Sequence, residues 1–356
     1  MKRILSIAAI ALAVTFATAQ EKTKVILDTD MVEIFDDGVA MMMLQINPDI
    51  ELLGITTVVG NSWVNEGTAW ALRQLEAVNA ADKVPVAMGV TRPLRPDRHE
   101  LMKNERPLFG IGHDDWAGSF STPEPESWQA VYKKFYGSEP TVKPIDQHAV
   151  DFIIEQVKKH PGEVTIAAIG PCTNLAVAVR KAPEIVPMIK SVIYMGGSFF
   201  RQGNTTPAAE FNWWADPEAA KIAVRTPFKE QIIVGLDVCE KITFHKHQFE
   251  HIRSLVKNPI VKQMLDTNVL NKLYADDPKY THYIWDVLVA AILIDPTLIT
   301  EEVTLPVDVT TDYGLSYGQS LAYIRQGPAG TQKARIIKNM DVERVWKMLH
   351  DYCEKF

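Results

Sequence analysis

Residues 24–61 read KVILDTDMVEIFDDGVAMMMLQINPDIELLGITTVVGN, and the order of elements in this stretch decides the fold. Residues 24–27 form a short run of apolar and β-branched side chains, residues 38–46 have the length and apolar content of a packed helix, and residues 50–59 are a second β-branched run. Strand, helix and strand in that order predict a right-handed crossover joining two parallel strands. The alternation continues downstream, with helices at 66–80, 148–160, 173–181 and 217–224 and strands at 164–169, 189–194 and 231–238. A chain that alternates in this way is expected to form an α/β domain, with a mostly parallel central sheet flanked by helices on both faces.

Two segments depart from the alternation. Residues 91–147 hold many Pro, Gly, Trp and charged residues with little periodicity, which reads as a lid or binding insertion and not as a passive connector. Residues 308–341 read as short strands of a small C-terminal antiparallel element, followed by a last helix at 342–352.

The first 19 residues have the pattern of an export signal: Lys2 and Arg3, an apolar run over 4–14, then Ala17-Thr18-Ala19 at the positions a signal peptidase reads. The mature chain is therefore expected to begin near Gln20, to form one domain over 20–356, and to be exported to a periplasm or secreted. Of the 37 basic side chains, 35 remain after cleavage against 44 acidic ones, a formal charge of −9, which argues against nucleic acid as a partner. No other run of 18 apolar residues exists to span a membrane. Cys172, Cys239 and Cys353 are too few and too scattered for a disulfide framework or a zinc site.

Ligands of an open parallel sheet bind beyond the carboxyl ends of its strands, so the residues that follow each strand deserve inspection. The first strand runs into Asp28-Thr29-Asp30 and the next helix opens with Asp36-Asp37; the second strand ends in Gly60-Asn61. The strand at 164–169 runs into Gly170-Pro171-Cys172-Thr173-Asn174. The strand at 189–194 is followed by Met195-Gly196-Gly197, and then by Asn204, Glu210 and Asn212. Any one of these aspartates suits a strand-end turn or a helix start. Four at one strand end would repel one another unless a cation sat among them, and hard cations such as Ca²⁺ or Mg²⁺ take oxygen ligands. Asp216, before Pro217 and Glu218, reads instead as a helix cap.

The runs Ile169-Gly170-Pro171-Cys172-Thr173-Asn174-Leu175-Ala176, Met195-Gly196-Gly197, Gly203-Asn204-Thr205-Thr206-Pro207-Ala208-Ala209-Glu210-Phe211-Asn212 and Asp216-Pro217-Glu218-Ala219-Ala220 closely resemble the inosine-uridine preferring nucleoside hydrolases. Val58-Val59-Gly60-Asn61 and Val234-Gly235-Leu236-Asp237 extend the likeness. The resemblance implies a Rossmann-like fold and a calcium-dependent enzyme of nucleoside salvage that cleaves the N-glycosidic bond of purine or pyrimidine ribonucleosides. It implies Asp30 as the base that activates a metal-bound water, and Asp30, Asp37, the Ile169 carbonyl and Asp286 as metal ligands. Asp36, Asn61, Met195, Asn204, Glu210 and Asn212 match positions around the ribose. A homo-oligomer, dimer or tetramer, is also implied. The chemistry agrees with these roles, because cleavage at C1′ develops positive charge on the sugar and carboxylates stabilise it.

The chain departs from the family in two places. Five residues, Met31-Val32-Glu33-Ile34-Phe35, separate Asp30 from Asp36 where relatives have three, and Glu33 adds a carboxylate there. Trp285 stands directly before Asp286, where many relatives carry the histidine that protonates the leaving base. Tyr274, His282, Tyr283 and Trp285 are the candidates for the leaving-group region, with His113 on the long insertion. Two other readings compete. An exported nucleoside- or sugar-binding protein on the same scaffold would keep the polar cage without turnover. A haloacid-dehalogenase-type phosphatase would use Asp28 as nucleophile, Asp30 as acid/base and Mg²⁺, but leaves 203–212 and Asp286 unexplained.

Overall fold

A computed structural model of the chain describes residues 21–32, 34, 36–109 and 117–356. The leader read at 1–19, Glu33 and His113 lie outside the described residues. Eleven strands are described: β1 (Thr23–Thr29), β2 (Ile50–Thr57), β3 (Val86–Met88), β4 (Val164–Ala168), β5 (Ser191–Met195), β6 (Gln231–Val234), β7 (Thr243–Phe244), β8 (His282–Tyr283), β9 (Ile299–Val309), β10 (Ser320–Ala322) and β11 (Gln332–Met340). Nine of them form one sheet in the order β3-β2-β1-β4-β5-β6-β11-β9-β10, and β7 pairs with β8 in a separate two-stranded ribbon. The strands from β3 to β11 are parallel; β9 runs antiparallel to β11 and β10 antiparallel to β9.

The chain winds outward from β1 through β2 to β3 and then returns to β4 on the other side of β1. The order of winding therefore reverses between β1 and β4, and the crevice beyond their carboxyl ends is where a ligand has room. Along β1 the pleat sorts the side chains. Val25 and Leu27 enter the apolar cluster that contains the helices Asp37–Ile46 and Asp286–Ile294, whereas Ile26 enters the cluster on the opposite face with Ala149–Lys159 and Thr173–Lys181. The helix Asp286–Ile294 has no polar face at all after its first residue, as expected of a helix buried on every side.

The alternation read from sequence is present, with three differences. Residues 91–147 hold two helices, Arg98–Leu108 and Trp128–Tyr136, and a 3₁₀ turn at Gly118–Ser121. The strand expected over 231–238 stops at Val234, because Leu236 donates its N–H to the Gly197 carbonyl and a single helical turn, Leu236–Cys239, follows. The C-terminal antiparallel strands begin at Ile299 and extend the main sheet through β11, whose Arg335 and Ile336 register with Ile232 and Ile233 of β6. The three cysteines are free and buried.

Candidate active site

Asp28, the next-to-last residue of β1, lies on the same face as Ile26, and its Oδ1 accepts hydrogen bonds from Thr56 Oγ1 of β2 at 2.6 Å and Asn174 Nδ2 at 2.8 Å. Thr29, on the opposite face, donates its hydroxyl to Asp37 Oδ1. Asp30 then leaves the strand and turns its Oδ2 to the Asn61 backbone N–H at 2.5 Å. Glycines hold open the space around this carboxylate. A Cβ on Gly60 would overlap Asp30 Oδ2, and one on Gly170 would come within 2.7 Å of both Asp30 N and Oδ1. Asp36 lies directly before the helix Asp37–Ile46, but its Oδ1 accepts the backbone N–H groups of Asp286 at 2.8 Å and Val287 at 3.4 Å. It thereby caps the second helix of the pair, and the Asp37 and Asp286 carboxyls stand at the two helix starts.

These groups share one electrostatic environment. Burial raises the Asp30 carboxyl well above the usual range, and the charges of Asp37 and Glu210 raise it further. Burial and the charge of Asp37 do the same to Asp36, burial raises Asp37, and burial with the charges of Asp36, Asp37 and Asp30 raises Asp286. Burial pushes Asp28 up to about 6. Among the described residues, Asp28 Oδ2, Asp30 Oδ1, Asp37 Oδ2 and Asp286 Oδ1 are each buried without a hydrogen-bond partner. Orphaned buried carboxylate oxygens are costly and rare in folded proteins. Among the described residues no group of three or more His, Cys, Asp or Glu side chains is arranged as it stands to hold a metal ion. The donor chemistry nevertheless fits a hard divalent cation, since all the orphaned atoms are oxygens and their common proton affinity is what a cation would replace.

On the other side of the crevice stands the five-residue helix Phe211–Ala215. Asn212 Nδ2 donates to the carbonyls of Ile169 at 2.8 Å and Met195 at 3.1 Å, and lies 3.3 Å from Met195 Sδ, while its Oδ1 is buried and orphaned among the described residues. Asn212 thus ties together the ends of β4 and β5, and the Ile169 carbonyl, with two lone pairs, keeps one free. Glu210 accepts three backbone N–H groups, from Asn212 at 2.7 Å, Gly197 at 2.9 Å and Trp213 at 3.1 Å, and burial pushes its carboxyl up to about 7. It caps its own helix and retains about one of a carboxylate's four acceptor positions. Asn204 is exposed, and its Oδ1 accepts the Phe211 N–H at 3.0 Å, so it braces the helix start from the rim.

The leaving-group candidates cluster at the ribbon β7-β8. The Trp285 ring meets His282 edge-on at 5.0 Å and Tyr283 at 6.1 Å, and its Nε1 is buried without a partner among the described residues. Burial pushes His282 down to about 4, and its Nδ1 sits 3.3 Å from the Tyr280 hydroxyl. Tyr274 donates its hydroxyl to the Phe244 carbonyl at 2.8 Å and is pushed up to about 12 by burial. Asp216 caps the helix Pro217–Arg225 through the Ala219 N–H, as its place before Pro217 predicts.

Sequence reading did not assign Thr29, Thr56 or Asn174, which hold the acids. Their signal was the pleat itself, because successive strand-end residues must point to opposite faces and each needs a partner there.

Comparison with known proteins agrees with this geometry. The family described as inosine-uridine preferring nucleoside hydrolase matches residues 25–347. The inosine-uridine preferring nucleoside hydrolase of Leishmania major is 31% identical over 333 residues, covering 93% of this chain and 98% of its own. Among solved structures, a plant nucleoside hydrolase superposes with a TM-score of 0.76 at 27% identity, over 93% of this chain and 99% of its own. A purine-preferring ribonucleoside hydrolase from Gardnerella vaginalis superposes with a TM-score of 0.73 at 26% identity, over 94% of this chain and 100% of its own.

Proposed function

The chain belongs to the inosine-uridine preferring nucleoside hydrolase family, and from that premise we propose a cation-dependent hydrolysis of ribonucleosides in which Asp30 is the base. The observation that carries this reading is the set of orphaned oxygens on Asp30, Asp37 and Asp286 at the point where the sheet winding reverses. Those three side chains and the Ile169 carbonyl would hold a hard divalent cation, Ca²⁺ by its preference for oxygen ligands, and the bound ion would lower the pKa of a coordinated water.

The residues of the chain account for the rest of the chemistry. The water oxygen bonds to C1′ of the ribose as the C1′–N bond breaks. Asp30 takes the water's proton, and the departing base carries away the electron pair of the broken bond. The Asp30 carboxylate is kept free for this by the Gly60 and Gly170 clearances and oriented by the Asn61 N–H. Asn212 Oδ1 is a buried acceptor that a ribose hydroxyl would satisfy, and the Glu210 carboxylate lies close enough to Asp30 to act on its charge. Positive charge growing on the sugar is stabilised by this acidic surround. Export rests on the leader at 1–19, and assembly as a dimer or tetramer on the family likeness.

Asp30→Asn keeps an oxygen and removes the proton acceptor. Ribose release from inosine and uridine is expected to fall by at least about 10² with KM little changed. A variant with near-native turnover would remove Asp30 from the reaction.

A further inference from the structure

Arg98 and Glu105 form an ion pair that is buried almost completely, with side-chain exposures of 0% and 3%, in the helix Arg98–Leu108 of the insertion. Both members converge on one residue. Arg98 donates to the Trp214 backbone carbonyl from Nε at 3.2 Å and from a terminal nitrogen at 2.6 Å, and its guanidinium lies 4.8 Å from the Trp214 ring centre. Glu105 accepts from Arg98 at 2.7 Å and from Trp214 Nε1 at 2.8 Å. Trp214 therefore has its backbone and its indole gripped by the same pair.

Trp214 follows Asn212 by two residues, in a helix of only five residues that could not hold its shape by its own hydrogen bonds. A carbonyl in the last turn of a helix has no intrahelical donor, and a cation there satisfies it and complements the helix dipole. Desolvating two charges is unfavourable compared with packing apolar side chains, so a buried pair is weak evidence for a role in stability alone. We infer that Arg98 and Glu105 are positioning residues for the reaction: they clamp Trp214 so that Asn212, at the front of the same helix, presents its orphaned Oδ1 to the sugar. The inference rests on the proposed contact between Asn212 and the ribose.

The test uses Glu105→Gln, which removes the charge, and Trp214→Phe, which keeps an aromatic ring under Arg98 and removes the indole N–H that Glu105 accepts. KM for inosine and uridine should rise about tenfold in Glu105→Gln and severalfold in Trp214→Phe, with kcat within about threefold of native. Asp308→Asn, which weakens a buried acid paired with Arg225 and Lys221 at the far edge of the sheet, serves as a control and should lower the melting temperature without moving KM. Asn212→Ala must also raise KM. If Asn212→Ala raises KM and both clamp variants leave it at the native value, the clamp is structural and the inference is overturned. If Asn212→Ala itself leaves KM unchanged, the sugar contact fails and the inference fails with it.

Discussion

The Asp36 carboxylate accepts the backbone N–H of Asp286 at 2.8 Å across 250 positions of sequence, so the acid that precedes one helix of the cage caps the other. The two helix starts that present Asp37 and Asp286 are thereby locked in register. The Asp286 helix has no capping side chain of its own, since Trp285 occupies that position without a cap bond.

Removing such a cap costs about 1 kcal/mol. Asp36→Ala should therefore lower the melting temperature by about 1–2 °C and weaken Ca²⁺ binding through displacement of Asp286. Asp36→Asn, which retains an acceptor oxygen, should recover most of both. Thermal melts with and without Ca²⁺ check this, and an Asp36→Ala protein that melts and binds like the native one would contradict it.

A second expectation concerns pH. Burial holds Asp28 at about 6 and Glu210 at about 7, and raises Asp30, Asp37 and Asp286 above the ordinary carboxylate value of 3.8. A carboxyl whose pKa is higher folded than unfolded binds its proton more tightly in the native state. Its contribution is complete below the unfolded pKa and is lost as pH rises through the folded one. The cation-free protein should lose stability between about pH 5 and 7. Acids held low by cationic partners, such as Asp308 beside Arg225, titrate below this window. A bound Ca²⁺ would replace the protons of its own ligands, so its affinity should rise with pH and its binding should release protons. Calorimetry in buffers of different ionisation enthalpy reads that release, and a chelated protein that gains stability from pH 5 to 7 would contradict the assignment.

The third expectation follows from Trp285. An indole cannot protonate a departing base, His282 is held neutral by burial, and the Tyr274 hydroxyl is bound to the Phe244 carbonyl. General acid catalysis is worth about 10²–10⁴ in rate. A substrate whose leaving group departs unprotonated, such as p-nitrophenyl riboside, should accordingly exceed inosine in kcat/KM by a large factor. Equal efficiency on the two, with Trp285→Phe changing neither, would place the acid elsewhere.

The strand–helix alternation and the polar strand ends were legible because they are local: a β-branched run, a helical period and the residues just after them specify their own places. The insertion was not. In Arg98–Leu108 the inward positions Arg98, Met102 and Glu105 have helical spacing, but two of the three are charged, so no hydrophobic periodicity marks the buried face. Asp36 was legible as an acid at a helix start and illegible as the cap of a helix 250 residues away. Glu210 and Asn212 were found by motif, whereas their partners Gly197, Ile169 and Met195 depend on β4 and β5 ending side by side, which only the folded sheet establishes.

The measurement that bears most directly on the cation site is ribose release from inosine and uridine by the purified protein, before and after exhaustive chelation and then with Ca²⁺ restored. Turnover should be lost on chelation, return with Ca²⁺, and fail to return in a protein lacking the Asp37 and Asp286 carboxylates. Ribose release that is indifferent to chelation would contradict the cation site, and nucleoside binding without any ribose release would make the chain a binding protein on a hydrolase scaffold.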